Sequence, residues 1–282
     1  MITTERAYRK YDGSGKAGLL LEVLALTICL ALITWNFPAL GAEGNLEGFN
    51  LYRYPEEKNG PSWTLSGVRA KRDEGSLIVY RFRLRIMDTD SGKEELLYEL
   101  SGDKLKLDDP GGRTEAFAPG EIEITMERGL QGTGKEVRYN FATGELTGDD
   151  LEVKNAGPGG KMTLSGTEFS YNYESGVLNI EDGFRVRSDD PGETRSVITG
   201  RSLSWPRKEE IMLSGDISAR LGSGWMLESD NLTWWPEKGV FESKKGGRIE
   251  REGTRIEGNK IKYEASEEKL LVSGAKMVIG DD

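Results

Sequence analysis

The chain contains no histidine and one cysteine in 282 residues, so several kinds of chemistry are excluded at the outset. Without histidine it lacks the commonest general base and the commonest nitrogen ligand for transition metals. Cys29, alone and inside an apolar N-terminal segment, can form no intrachain disulfide and cannot contribute to a cysteine-rich zinc site. Ile28 before it, where a small residue would be needed, argues against a lipoprotein signal. Basic residues are in deficit as well: the net charge is −10, and the residues beyond Phe37 alone carry −11. An exterior of this sign repels nucleic acid and offers no polybasic patch for a membrane surface.

What the chain has in quantity is glycine, 37 residues, and much of it is periodic. Leu164 to Val186, LSGTEFSYNYESGVLNIEDGFRV, shows the unit best, with Leu164, Gly166, Phe169 and Tyr171 in the form Φ-x-G-x-x-Φ-x-(aromatic or Leu), Φ being apolar. Six further copies centre on Gly67, Gly102, Gly134, Gly200, Ser229 and Gly258, so the pivots recur every 29 to 35 residues. A period of this size is the mark of stacked supersecondary units. Within a unit the two apolar residues are five apart, an odd spacing, whereas a regular strand returns a side chain to the same face only at even spacings. The pivot therefore predicts a bend or bulge, for which glycine's wider backbone freedom is suited. A second alternating strand follows each unit through a polar turn, such as Ala142 to Gly144, Glu174 to Gly176 or Pro236 to Gly239.

These units predict an all-β domain of about seven two-strand repeats, with one charged and one apolar face. The apolar row is predicted from Tyr80, Phe82, Leu84 and Ile86, which alternate with Arg81, Arg83 and Arg85; from Ile122 and Ile124; and from Tyr139 and Phe141. It continues through Phe169, Tyr171, Phe184, Val186 and Ile217. Residues of this kind fill ordinary sandwich cores, but stacked repeats align them into one internal stripe, and a stripe left open along one side is a groove for a long apolar ligand.

The first 46 residues are of another kind. Residues 1–16 are polar with a basic excess; residues 17–37 are apolar except for Glu22, Thr27, Thr34 and Asn36; and residues 38–46 read as a Gly-containing linker to a domain spanning 47–282. A run of this length suits one bilayer crossing of about 20 residues. The preceding basic residues place the N-terminus in the cytoplasm, with Trp35 at the far interface. A cleaved signal peptide is the competing reading, aided by Ala39, Gly41 and Ala42, although such peptides use a shorter apolar run of about 7 to 15 residues.

An anchoring segment followed by Gly48, Phe49, Leu51 and Tyr54, then Trp63, Leu65, Gly67 and Ala70, resembles the periplasmic lipopolysaccharide-export family (LptC/LptA, OstA-like), most closely its membrane-anchored LptC component. The later repeats resemble the soluble bridge protein and the periplasmic part of the outer-membrane translocon. The resemblance implies an elongated, open twisted β-jelly roll holding lipid acyl chains between two facing sheets. It also implies a single-pass inner-membrane location with a periplasmic C-terminal domain, an inner-membrane ABC transporter as the source of energy, and a soluble bridge as the next carrier. Seven repeats exceed what the anchored component is expected to carry, which leaves a fusion of anchor and bridge roles open. The apolar final strands, with Leu271, Met277 and Ile279, are the expected partner-binding edge, by strand addition.

No catalytic or cofactor constellation emerges. Gly129 to Glu136 nearly fits a phosphate loop, but Glu136 replaces the magnesium-binding hydroxyl and a strand pattern follows. Asp88, Asp90 and Glu99 fit a calcium loop in spacing, yet Lys93 stands where that loop needs glycine. The pairs Asp108 with Asp109, Asp149 with Asp150 and Asp189 with Asp190 fall in turns beside glycine or proline. The expectation is a conduit for lipopolysaccharide, without bond chemistry, cofactor, metal or nucleic acid. A membrane-tethered β-solenoid serving as scaffold or polysaccharide binder is the alternative, and an enzyme on a β-helix comes third.

Overall fold

A computed structural model describes residues 45–53, 62–73, 75–88, 95–108, 115–126, 130–156, 162–188, 196–206, 210–221 and 224–279. All belong to one compact unit, Asn45–Asp282. The predicted membrane segment, 17–37, lies outside them; among the described residues no helix is long and apolar enough to cross a membrane. The all-β expectation holds, since the described residues form 19 strands joined by antiparallel pairings.

In chain order the strands are β1 Asn45–Arg53, β2 Ser62–Asp73, β3 Ser76–Asp88, β4 Glu95–Asp108, β5 Glu115–Met126, β6 Leu130–Asn140, β7 Glu145–Ala156, β8 Met162–Asn172 and β9 Val177–Ser188. They continue as β10 Ser196–Gly200, β11 Ser202–Pro206, β12 Ile211–Arg220, β13 Met226–Trp235, β14 Val240–Ser243, β15 Gly247–Arg251, β16 Thr254–Gly258, β17 Lys260–Glu264, β18 Lys269–Ser273 and β19 Lys276–Ile279. The sheet is a meander folded over on itself. In the first layer, for example, Ser62–Ser66 of β2 pairs with Arg83–Met87 of β3; in the second, Arg69–Asp73 pairs with Ser76–Tyr80. Each long strand thus runs through both layers and bends between them. Towards the C-terminus the bend breaks the strand, so β10 and β11, β14 and β15, β16 and β17, and β18 and β19 are each one traverse in two pieces.

The five-residue spacing is realised at the bend. Leu65 and Ala70, Leu100 and Leu105, Leu164 and Phe169, Leu227 and Leu232, and Ile256 and Ile261 are all buried, each pair spanning a corner with one member in either layer. The pivot glycines serve this for a different reason from the one their type suggests. Gly67, Gly102, Gly166 and Gly258 are not among the residues with positive φ. Glycine is needed there for space: a Cβ at Gly166 would lie 2.2 Å from Ile180 Cγ2, and one at Gly258 2.3 Å from Val272 Cγ1. The left-handed backbone falls on the returning strand instead, at Arg81 (φ 50°), Asp150 (50°), Asp182 (56°) and Asp216 (50°).

One predicted member of the apolar row is corrected by this bend. Tyr80 is 37% exposed, standing between Arg69 and Lys104 on the charged face. The left-handed Arg81 shifts the parity of β3, so the buried row passes from Val79 to Phe82 and skips Tyr80. Outward-facing charges pair across strands, as in Arg85 with Glu99 at 2.6 Å and Arg138 with Glu115 at 2.6 Å. Such exposed pairs contribute at most about 1 kcal/mol each and serve mainly to keep the outer face wet.

The hairpin tips are built on asparagine. Asn140 Oδ1 accepts from the N–H groups of Ala142 (2.8 Å) and Thr143 (3.1 Å), and Asn172 Oδ1 accepts from that of Ser175 (3.0 Å). Asn172 Nδ2 then donates to Thr143 O at 2.9 Å, tying successive tips together.

Substituting Gly166→Ala places its methyl against Ile180 and the Gly183 carbonyl, and overpacking of this kind costs about 1–3 kcal/mol. Urea unfolding should show that loss, and the loss should be smaller when Gly166→Ala is measured in an Ile180→Ala background, which lacks the Cγ2 the methyl would strike.

Candidate functional site

The candidate site is the space between the layers. Of the predicted row, Phe82, Leu84, Ile86, Ile122, Ile124, Tyr139, Phe169, Tyr171, Phe184, Val186 and Ile217 are all buried within one apolar cluster. Phe141 is half-buried and sits in the hairpin tip after β6. The row is not uniform in what it does. Phe82 packs its ring on Gly102 and Phe184 on Gly200; a Cβ at those glycines would lie 3.1 Å and 2.7 Å from the rings. These two, with Phe169 against Gly148, line the closed corner of the fold, where a ring covers the surface a glycine leaves bare.

The opposite margin, where the hairpin tips of the two layers approach, is held by aromatic residues, and the one at their centre, Tyr98, is one that the sequence reading did not single out. Trp63 at the start of β2 meets Phe141 at 5.6 Å between ring centroids. Tyr98 of the first layer reaches into the second, its ring 5.5 Å from Tyr139, 5.6 Å from Tyr171 and 6.3 Å from Tyr173. Its hydroxyl donates across the gap towards the carbonyls of Gly144 (3.2 Å) and Tyr171 (3.3 Å). A single Tyr hydroxyl thus clasps the free margins of β4, β7 and β8. The alternation Leu96, Tyr98, Leu100 was available in the sequence, and only the partner across the layers was not.

Tyr139 contrasts with it. Its ring is fully buried and packs edge-on to Phe141 at 4.9 Å, but its hydroxyl has no hydrogen-bond partner among the described residues. Burial, reinforced by the neighbouring Tyr173 and Glu174, pushes this phenol's pKa up, so it stays a neutral O–H donor.

From β2 to β13 the interior is filled by the protein's own side chains, with Leu65, Leu84, Tyr98, Tyr139, Leu164, Ile180 and Leu227 essentially inaccessible. At the C-terminal end it opens. Met277 pairs with buried Ile256 and so faces inward, yet is 57% exposed; Ile279, on the same face, is 69% exposed. Leu270 and Val272 of β18, opposite Tyr263 and Ile261, are half-buried. Leu271 faces the outer side beside Lys262 and is 48% exposed. The expected edge residues therefore divide into an inward pair and an outward one.

The motifs set aside in the sequence remain corners or lie outside the described residues. Glu136 has a left-handed φ of 48° and its carboxylate accepts from the Gly120 N–H at 3.0 Å, while Lys135 pairs with Asp150 at 3.0 Å. Half of the calcium-like stretch, Asp90 included, and Asp109, Asp189 and Asp190 lie outside the described residues. Among the described residues no group of His, Cys, Asp or Glu could hold a metal ion. A concavity of about 720 Å³ is lined chiefly by polar and charged side chains of the C-terminal strands, such as Glu228, Arg248 and Arg255, and one of about 440 Å³ spans β9 to β14, with Ile180, Leu203, Met212 and Leu213 among its polar neighbours.

No protein-family model matches this sequence, and no curated protein matches it.

Two substitutions test the geometry. Tyr98→Phe removes a cross-layer donor and should lower stability by about 0.5–1.5 kcal/mol in urea titrations, with unchanged β content by circular dichroism. Glu242, 12% exposed, accepts from Lys260 at 2.7 Å, and this bond, aided by Lys244 and Lys262, holds its carboxyl below the usual carboxylate range. A depressed folded-state pKa contributes stability above the unfolded value of about 4.3, lost as pH falls through the folded one. Glu242→Gln should therefore lower stability by less than about 1 kcal/mol at pH 7, and the difference should vanish in acid below the folded value.

Proposed function

We propose that this protein carries lipopolysaccharide, or a closely similar multi-acylated lipid, with the acyl chains between the two layers and the sugar head in water. In this reading it is held to the inner membrane by residues 17–37, takes lipid from an ABC transporter and passes it to a soluble periplasmic bridge. The observation that carries the reading is one inner face, apolar from Trp63 in β2 to Met277 and Ile279 in β19, which becomes accessible at the C-terminal end. The resemblance of the first repeat and the preceding apolar run to the anchored export component supports it, and so does the charged exterior.

Energetics favour such a device for this cargo. Each methylene moved into water costs about 0.8 kcal/mol, so exposing several chains costs tens of kcal/mol. The chains therefore need continuous cover. Because the described residues fill the interior there, loading requires the layers to part at the margin held by Tyr98, while the corners stay joined by main-chain pairing. Lipid chains then replace side-chain contacts with others of like kind, which makes the exchange nearly balanced in apolar burial.

A tethered scaffold or polysaccharide binder is the second reading, favoured by that same filled interior. The two readings part in one experiment. A photoreactive residue at Ile124, Tyr171 or Met277 in the full chain should give lipid adducts in transporting membranes, whereas one at outward Arg83 should give none. Adducts at neither set, in protein shown to be folded, would favour the scaffold and remove the conduit.

A further inference from the structure

The Tyr139 hydroxyl is the one buried phenol among the described residues with no hydrogen-bond partner in the protein. Leaving such a donor unpaired is costly, and native folds keep few of them. A phenylalanine would fill the same volume at no such cost, so the hydroxyl needs a purpose that packing does not supply. Its position narrows that purpose. Tyr139 stands one residue before Asn140, which opens the hairpin tip, so it lies within about two residues, roughly 7 Å, of the free margin. Glu174 and half-buried Tyr173 of the neighbouring tip are its polar surroundings. The donor therefore sits at the level where an apolar interior gives way to water.

Resting on the conduit reading above, we propose that the Tyr139 hydroxyl hydrogen-bonds the ester or amide carbonyl through which an acyl chain joins its polar head. An amphiphile with its chains between the layers and its head outside places those carbonyls at the depth of the margin. The carbonyl is an acceptor without a donor of its own, complementary to a neutral phenol. The contact would fix how far the chains enter and would distinguish acylated lipids from plain hydrocarbon. Tyr98, whose hydroxyl spans the layers beside it, must give way for the head to pass, so the clasp and the reading group share one place.

The test compares a synthetic acylated disaccharide lipid with its ether-linked counterpart, equal in chain number and length but lacking the carbonyls, as competitors of photolabelling at Tyr171, which shares the Tyr98 cluster with Tyr139, in the full chain. The wild-type protein should prefer the ester form by about 5- to 30-fold, and Tyr139→Phe should abolish that preference while its melting temperature is unchanged or raised. Equal competition by both lipids in the wild type would overturn the inference and leave the conduit standing. Competition by neither would overturn the conduit itself. A fall of several degrees in the melting temperature of Tyr139→Phe would show that the hydroxyl is already satisfied within the protein, by Glu174 or by buried water, and would overturn the inference as well.

Discussion

Everything in this fold depends on the close approach of two layers at a corner where one side chain is missing. A meander of long strands has no reason to fold over unless each strand can turn its apolar residues from one layer's inner side to the other's, and that requires a change of parity at the same point in every strand. Here the change is divided between two kinds of residue. The outgoing strand supplies a glycine such as Gly166, whose missing Cβ admits Ile180, and the returning strand supplies a left-handed residue such as Asp182. Neither alone would suffice: a left-handed turn without the space would push the layers apart, and the space without the turn would leave the returning row facing outward.

From this division of labour follows what was legible in the sequence. The spacing from Leu164 to Phe169 announced a parity change, and the structure has it at pairs from Leu65 and Ala70 to Ile256 and Ile261. The glycine was visible but its reason was not, because residue type does not say whether a missing Cβ serves φ or serves a neighbour. On the returning strand the signal was weaker still. Arg81 occupies a left-handed position that its type does nothing to advertise, and so Tyr80 was assigned to the inner row from simple alternation. Asp150, Asp182 and Asp216 in equivalent places belong to a residue type that tolerates this conformation better, and a comparison among repeats could have exposed Arg81 as their counterpart.

The candidate site was legible as a face and illegible as a place. Periodicity can say that Tyr139 and Tyr171 look inward, but not that Tyr98, four strands from Tyr171 in the meander, completes a cluster with both. Contacts across layers have no fixed offset in sequence; those within a layer follow the hairpin register. The same limit hid the distinction between floor and margin. Phe82 and Phe184 seemed equal to Tyr171 in the alternation, yet they cover glycines at the corner, while Tyr171 lies beside the clasp at the opening.

The two ends of the sheet differ in a way that bears on direction. At the first, β1 is a single strand that bends once at Gly48 and covers both layers of β2 with Phe49 and Leu51 half-buried against the core. At the other, β18 and β19 pair only inward, with β17 and β16, and carry Leu271, Met277, Val278 and Ile279 in exposed positions. An edge of this kind, apolar and rich in free main-chain groups, attracts strands indiscriminately unless something covers it. Lys269 and Lys276 open these strands and give some protection, but no charge falls from Met277 to Ile279. A partner adding a strand there would gain main-chain hydrogen bonds and would bring its own inner face into line with Met277 and Ile279. In the proposed reading, cargo would then meet one apolar surface across the junction, with no water-filled step to cross.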